Sequence, residues 1–156
     1  MAGRFDYAQA EEIKAAFARH GVRYLFIGKS GAVLLGYPDT TQDADLFVEK
    51  SDENGGRCVA GVRDLGFDIS AGTEAEIRRG KDFVQLKNGP FDLDLVFAPD
   101  GIESFEAAWR NRVETEGFPV CHPDDIIRSK EAAGRARDIE SLPRLRAFRD
   151  YWKALR

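Results

Sequence analysis

TQDADLFV, at residues 41–48, and FDLDLVF, at residues 91–97, are the two stretches of this sequence that decide its fold. Each contains two aspartates separated by one residue, and most of its other positions are apolar. Because side chains alternate along a strand, the two aspartates of each stretch point the same way, about 6.6 Å apart. Segments this rich in apolar residues are typical of buried strands. We therefore expect two buried strands, each carrying a pair of carboxylates on one face.

Paired carboxylates on a buried strand repel each other unless they bind a cation or accept hydrogen bonds. Asp43 and Asp45 form the first pair, and Asp92 and Asp94 form the second. If the two strands are neighbours, three or four carboxylates converge, an arrangement that suits two divalent metals. The metal expected for such oxygen ligands is Mg²⁺, with Mn²⁺ as the alternative. Two simpler interpretations stay open: the first pair is solvated at a strand end, and Asp92 merely follows the turn at residues 88–90.

A third feature is the turn formed by Gly28, Lys29 and Ser30, which follows the apolar segment 22–27. A turn between a strand and a helix leaves backbone N–H groups free to bind a phosphate. The letters GKS do not indicate a P-loop, because that motif needs a glycine where this chain has Arg23. Alone, this turn is weak evidence for a phosphate site.

The remaining pattern predicts an α+β fold, with a mixed sheet, helices packed on one face and a helical C-terminal segment. We expect strands at 22–27, 44–48, 67–69, 82–86 and 91–97, and helices at 6–20, 32–35, 58–65, 102–109 and from residue 123 onward. Residues 51–56 are expected to form a turn. Pro143 is expected to kink the last helix or delay its start.

Composition describes an ordinary globular chain with one domain. It has 156 residues, 43% of them hydrophobic, with 27 acidic and 23 basic residues and a net charge of −4. The acidic balance argues against binding nucleic acid by bulk charge.

Cys58 and Cys121 lie too far apart in the sequence for a CxxC motif, and we find no signal peptide or transmembrane run, so we expect a cytoplasmic protein without a membrane partner. We divide the domain, 1–156, into an α/β catalytic core at 1–121 and a helical cap at 122–156.

Taken together, these motifs resemble those of the DNA polymerase β-like nucleotidyltransferase superfamily. The shared pattern is a buried strand, a Gly–x–Ser turn, a short helix and Asp–x–Asp leading into an apolar strand, and it runs here from Tyr24 to Val48 and resumes at 91–97. DDIIRSK at residues 124–130, followed by RARD at 135–138, resembles the C-terminal signature of small bacterial members related to abortive-infection type IV toxins. The resemblance implies a nucleotidyltransferase-like fold and a metal-dependent transfer of NMP from an NTP to an acceptor hydroxyl.

The resemblance also implies roles for individual residues. Asp43 and Asp45 would be metal ligands, and Asp94 would be the third carboxylate, which orients or deprotonates the acceptor hydroxyl. The implied nucleotide-binding residues are Gly28, Lys29, Ser30 and Lys130. The acceptor would lie on RNA, a protein or a small molecule, and a cognate toxin or antitoxin would be a partner protein.

The chain departs from the family pattern at three positions near the turn, one of which is Gly31, where many relatives have an alanine. Lys29 replaces the second small residue, and Asp39 stands where a basic residue is often found. Lys29 would either bind phosphate as a point charge or block the close approach that glycine allows. One alternative function is therefore a catalytically degenerate module that binds a nucleotide or a partner protein. Another is a metal-dependent phosphohydrolase that uses the same carboxylates.

Overall fold

A computed structural model describes residues 6–156 of the chain. Within that range it contains six strands: β1 (Tyr24–Phe26), β2 (Asp43–Val48), β3 (Phe83–Leu86), β4 (Asp92–Val96), β5 (Val113–Thr115) and β6 (Phe118–Val120). The helices of the same range are α1 (Tyr7–Arg19), α2 (Gly28–Leu34), α3 (Asp52–Asp64), α4 (Ala71–Arg79), α5 (Phe105–Asn111), α6 (Pro123–Ala133) and α7 (Ala136–Ala154).

The strands form one mixed sheet in the order β3–β4–β2–β1–β6–β5. β2 lies parallel to β4 on one side and antiparallel to β1 on the other, and β1 is parallel to β6. The predicted α+β class, the mixed sheet and the helical C-terminal segment are confirmed, and the arrangement is consistent with a nucleotidyltransferase-like fold.

Helices cover both faces of this sheet, which corrects the expectation of helices on one face. Successive residues of β2 point to opposite sides, so Leu46 packs into one apolar core and Phe47 into the other. The first core is closed by α1, α3 and α4, and the second by α5, α6 and α7. The physical reason is that β1 is apolar and buried on both faces and β2 adds Phe47 to the second face, so each face needs a covering layer.

Several local expectations were wrong, two of them because a serine side chain caps the start of a helix. Ser51 accepts a hydrogen bond from the backbone N–H of Asn54, so residues 52–56 begin α3 instead of forming a turn. Ser70 caps α4 in the same way, where a strand at 67–69 was expected and no helix was. Of the two effects expected of Pro143, the late helix start is not observed, because α7 begins at Ala136 and contains the proline.

Among the helices of residues 6–156, none combines the length and the apolar character needed to cross a membrane.

Candidate functional site

The two strands that carry the aspartate pairs, β2 and β4, are parallel neighbours in the interior of the sheet. Their register places Asp43 beside Asp92 and Asp45 beside Asp94. Because paired positions on neighbouring strands share a face, all four carboxyl groups start from the same side of the sheet. β2 and β4 are thus neighbours, which is the condition under which we expected the carboxylates to converge.

Asp45 and Asp94 form an interacting pair of carboxyl groups in a poorly hydrated place. Burial raises the pKa of Asp45 well above its usual range, and the negative charge of Asp94 and a hydrogen bond between the two groups raise it further. Burial and the charge of Asp43 raise the pKa of Asp94 as well. Both carboxyls therefore resist ionisation, and a bound cation would relieve the repulsion between them.

A buried oxygen of Asp94 is the clearest sign that this pair is built for a ligand. The residue is only 7% exposed, and its Oδ1 atom has no hydrogen-bond partner. A buried acceptor without a partner costs free energy unless something else occupies it. A divalent cation would satisfy this oxygen and neutralise the repulsion between the carboxylates.

The donor set fits Mg²⁺ better than a metal enclosed by protein ligands alone. Within residues 6–156, no three side chains of the His, Cys, Asp and Glu types form a group that could by itself hold a metal ion. Mg²⁺ is usually bound by one or two carboxylates together with water and substrate phosphates. Asp45 and Asp94, with Asp43 close enough for its charge to act on both, are the carboxylates that would serve a site of that kind.

The start of α2 lies directly against Asp45. Gly28 has a positive φ of 64°, and a Cβ atom there would lie 2.7 Å from Oδ2 of Asp45. A glycine is therefore required at this position, both for its backbone conformation and for the close approach of the carboxylate. Residues 28–31 form the first turn of α2, so the helix begins four residues earlier than expected.

The Ser30 side chain links α2 to β2 by hydrogen bonds. Its side chain is fully buried; its hydroxyl accepts a hydrogen bond from the backbone N–H of Asp45 at 2.9 Å and donates one to the carbonyl of Ile27 at 3.0 Å. The hydroxyl is thus engaged by the backbone on both sides. In the structure Ser30 positions Asp45 and the start of α2, and it does not line the cleft described below.

Two of the departures from the family pattern, Lys29 and Asp39, are in contact with each other. Lys29 Nζ lies 2.9 Å from Oδ2 of Asp39, and Arg144 of α7 lies 3.8 Å from the same oxygen. The Lys29 ammonium group is therefore paired with a carboxylate of this chain.

Lys130 of α6 reaches the carboxylates from the opposite wall. Its side chain is 19% exposed and its Nζ lies 3.7 Å from Oδ1 of Asp138, which is held in turn by Arg135. Burial lowers the pKa of Lys130, while its positive charge opposes the upward shift of the pKa of Asp45. The C-terminal helices thus place a cation beside the aspartate pair.

These groups surround one cleft with a volume of about 1020 Å³. Six of the seven residues singled out from the sequence line it: Gly28, Lys29, Asp43, Asp45, Asp94 and Lys130. Of the described residues on β4, Asp94 contributes to the lining and Asp92 does not. Of the two aspartates on β4, Asp94 is therefore the one that reaches the cleft.

Sequence reasoning missed Gln85 and Lys87, which also line the cleft. Gln85 is paired with Asp94 in the antiparallel register of β3 and β4, and its hydrogen bond lowers the pKa of Asp94. The available signal was a polar residue between Val84 and Leu86, which places it on the face opposite two buried side chains.

The chain matches no protein-family model and no curated protein.

Proposed function

We propose that this protein is a Mg²⁺-dependent nucleotidyltransferase, similar to the DNA polymerase β-like superfamily, that transfers NMP from an NTP to an acceptor hydroxyl. One observation carries the proposal: Asp45 and Asp94 meet in register at the base of a cleft, as a buried pair with an unsatisfied oxygen. Without a bound cation, two buried carboxylates placed so close together would only destabilise the fold.

Asp45 and Asp94, with Asp43 as a third carboxylate beside them, would hold Mg²⁺ or Mn²⁺ together with water and nucleotide phosphates. When bound, such a cation neutralises phosphate charge and polarises the bond that breaks. Asp94 accepts the proton of the acceptor hydroxyl, a task suited to a carboxyl whose pKa is raised. The O–H bond of the acceptor breaks, its oxygen bonds to the α-phosphorus, and the bond between that phosphorus and the pyrophosphate oxygen breaks.

The nucleotide's phosphates would lie between the start of α2 and the wall formed by α6 and α7. Lys130 supplies a positive charge close to the carboxylates. The first N–H groups of α2, at Gly28 and Lys29, have no acceptor within the helix and point toward its N-terminal end. Ser30 contributes indirectly, because its hydroxyl holds Asp45 and α2 together.

The acceptor, partner and location belong to the same proposal by resemblance. The acceptor hydroxyl is on RNA, a protein or a small molecule, the partner is a cognate toxin or antitoxin, and the location is the cytoplasm.

A second candidate is a module of the same fold that binds a nucleotide or a partner protein without catalysis. The Lys29–Asp39 ion pair favours it, because this pair neutralises a cation at the mouth of the cleft. The two candidates differ in turnover: a nucleotide-binding module would also bind NTP, but only the first candidate predicts the release of pyrophosphate.

Titration calorimetry with Mg²⁺ complexes of ATP, CTP, GTP and UTP tests the shared site. We expect wild type to bind at least one of them, and Asp45→Asn to bind it at least about tenfold more weakly, which corresponds to about 1.4 kcal/mol. Asp92→Asn is the matched control, because it makes the same change at an in-register aspartate outside the cleft. Failure of all four nucleotides to bind, or equal affinity of wild type and Asp45→Asn, would contradict the proposal.

A further inference from the structure

The mouth of the cleft is bridged by an ion pair network centred on Asp39. Its Oδ2 atom lies 2.9 Å from Lys29 Nζ and 3.8 Å from Arg144 NH1. Its Oδ1 atom accepts a hydrogen bond of 2.7 Å from the backbone N–H of Thr40. One carboxylate thus joins the first turn of α2 to α7, and it faces two cations that line the cleft.

Arg144 is anchored independently of Asp39. Its guanidinium lies over the ring of Tyr37, with Cζ 5.5 Å from the centroid, and it donates a hydrogen bond of 3.4 Å to the carbonyl of Pro38. The Tyr37 ring is buried and packs edge-on against Phe148 of α7. Arg144 therefore keeps two contacts of its own if the carboxylate moves away, whereas Asp39 is the carboxylate that pairs with Lys29; both cations are exposed to solvent, Arg144 by 63% and Lys29 by 40%.

We propose that Asp39 is an internal competitor for anionic ligands: it occupies Lys29 and Arg144 until the phosphate chain of a nucleotide displaces it. This inference rests on the proposed function, since it assumes that phosphates enter this cleft. Lys29 then exchanges a carboxylate for a phosphate oxygen, and Arg144 offers its guanidinium from its place on Tyr37. Asp39 therefore sets how tightly polyphosphate binds and selects against weakly charged ligands, which cannot replace it.

The physical basis is an exchange of one ion pair for another. Each phosphate contact to Lys29 or Arg144 requires the loss of a contact to Asp39, so part of the attraction is cancelled. Ion pairs at exposed positions contribute little free energy, so removing the Asp39 carboxylate is expected to tighten the binding of polyphosphate only about two- to fivefold. The effect should depend on Lys29, because that residue makes the shorter of the two contacts.

The test compares Asp39→Asn with Asp100→Asn in calorimetric titrations with inorganic tripolyphosphate and with Mg²⁺·NTP. Asp100 lines the same cleft, so its variant makes the same change in charge away from Lys29. We expect Asp39→Asn to bind both ligands about two- to fivefold more tightly than wild type and Asp100→Asn to show a smaller gain. In a Lys29→Gln background, Asp39→Asn should give less gain than it gives in wild type. Circular dichroism confirms that each variant is folded.

A second measurement follows the carboxylate itself. The ¹³Cγ resonance of Asp39 should shift when tripolyphosphate is added to wild type, while that of Asp100 stays in place. The inference is overturned if Asp39→Asn binds no more tightly than wild type or Asp100→Asn, or if the Asp39 resonance does not move. If wild type binds Mg²⁺·NTP and Asp39→Asn shows no gain, only this inference fails. If wild type binds no nucleotide, the proposed function fails with it.

Discussion

Replacing Asp94 by asparagine should make the metal-free protein more stable, although it removes a residue of the proposed active site. Asparagine keeps the shape of the side chain and removes the charge that opposes ionisation of Asp45. Its amide can also donate a hydrogen bond to the Asp45 carboxylate. A residue kept for packing alone would lose stability on such a change.

The magnitude follows from the strand geometry. Neighbouring strands lie about 4.8 Å apart, and two full charges at that distance repel by about 3.5 kcal/mol at an effective dielectric constant of about 20. Proton uptake by the pair limits this cost, so we expect a gain of about 2 kcal/mol at pH 8. For a chain of this size, that is a rise of about 4–8 °C in the unfolding midpoint.

The assay is thermal unfolding as a function of pH, with chelator and with Mg²⁺. Because the folded pKa values of Asp45 and Asp94 are raised, the folded state binds more protons than the unfolded state above the usual aspartate pKa of about 4. Metal-free wild type should therefore lose stability as the pH rises from about 4 through those raised pKa values. Asp94→Asn should lose less over that window, and Mg²⁺ should stabilise wild type more than the variant.

Asp92→Asn is the control, since Asp92 lies on the same strand but outside the cleft. It should change stability by less than about 0.5 kcal/mol. The reasoning would be refuted if Asp94→Asn were less stable than wild type at pH 8, or if Asp92→Asn gave the same gain.

Other predictions concern the contact between α2 and Asp45. Gly28→Ala should destabilise by about 2 kcal/mol or more in urea unfolding, because φ is 64° and the new Cβ would lie 2.7 Å from Asp45 Oδ2. Gly72→Ala, in α4 with no atom nearer than 3.8 Å to its Cβ, should be neutral or stabilising. Ser30→Ala should cost about 1–3 kcal/mol in the same assay, because the buried N–H of Asp45 loses its acceptor. Lys130→Gln should weaken nucleotide binding about tenfold in calorimetry without unfolding the protein, because a buried cation beside Asp45 is lost.

The sequence contained enough to predict the aspartate strands, because alternation and apolar content are local properties. It could not show that β2 and β4 are neighbours, since residues 49–91 of the chain separate them. The connection between the two strands contains α3, α4 and β3, and α4 itself was missed. Its start depends on Ser70 as a cap and its end on Gly80 with a positive φ, whereas the apolar signal nearby favoured a strand.

The role of side chains around the turn was harder still to predict. A serine after a glycine suggests a phosphate ligand, yet the Ser30 hydroxyl is taken up by the backbone of β2. Lys29 and Asp39 are ten positions apart, and their contact follows from the way the segment after α2 folds back over its first turn. Such pairings depend on the tertiary structure, and no local pattern in the sequence indicates them.

The central claim is that this protein transfers a nucleotide to an acceptor. The most direct test is to incubate it with radiolabelled NTPs, Mg²⁺ and cell extract, and to measure which phosphate label becomes attached to an acceptor. Each nucleotide is supplied in one reaction with ³²P at the α-phosphate and in another with ³²P at the γ-phosphate. The account predicts that wild type attaches the α-label, and no γ-label, to an acceptor, and that Asp45→Asn attaches neither. Transfer of the γ-label, no transfer from any of the four NTPs, or equal labelling by Asp45→Asn would contradict it.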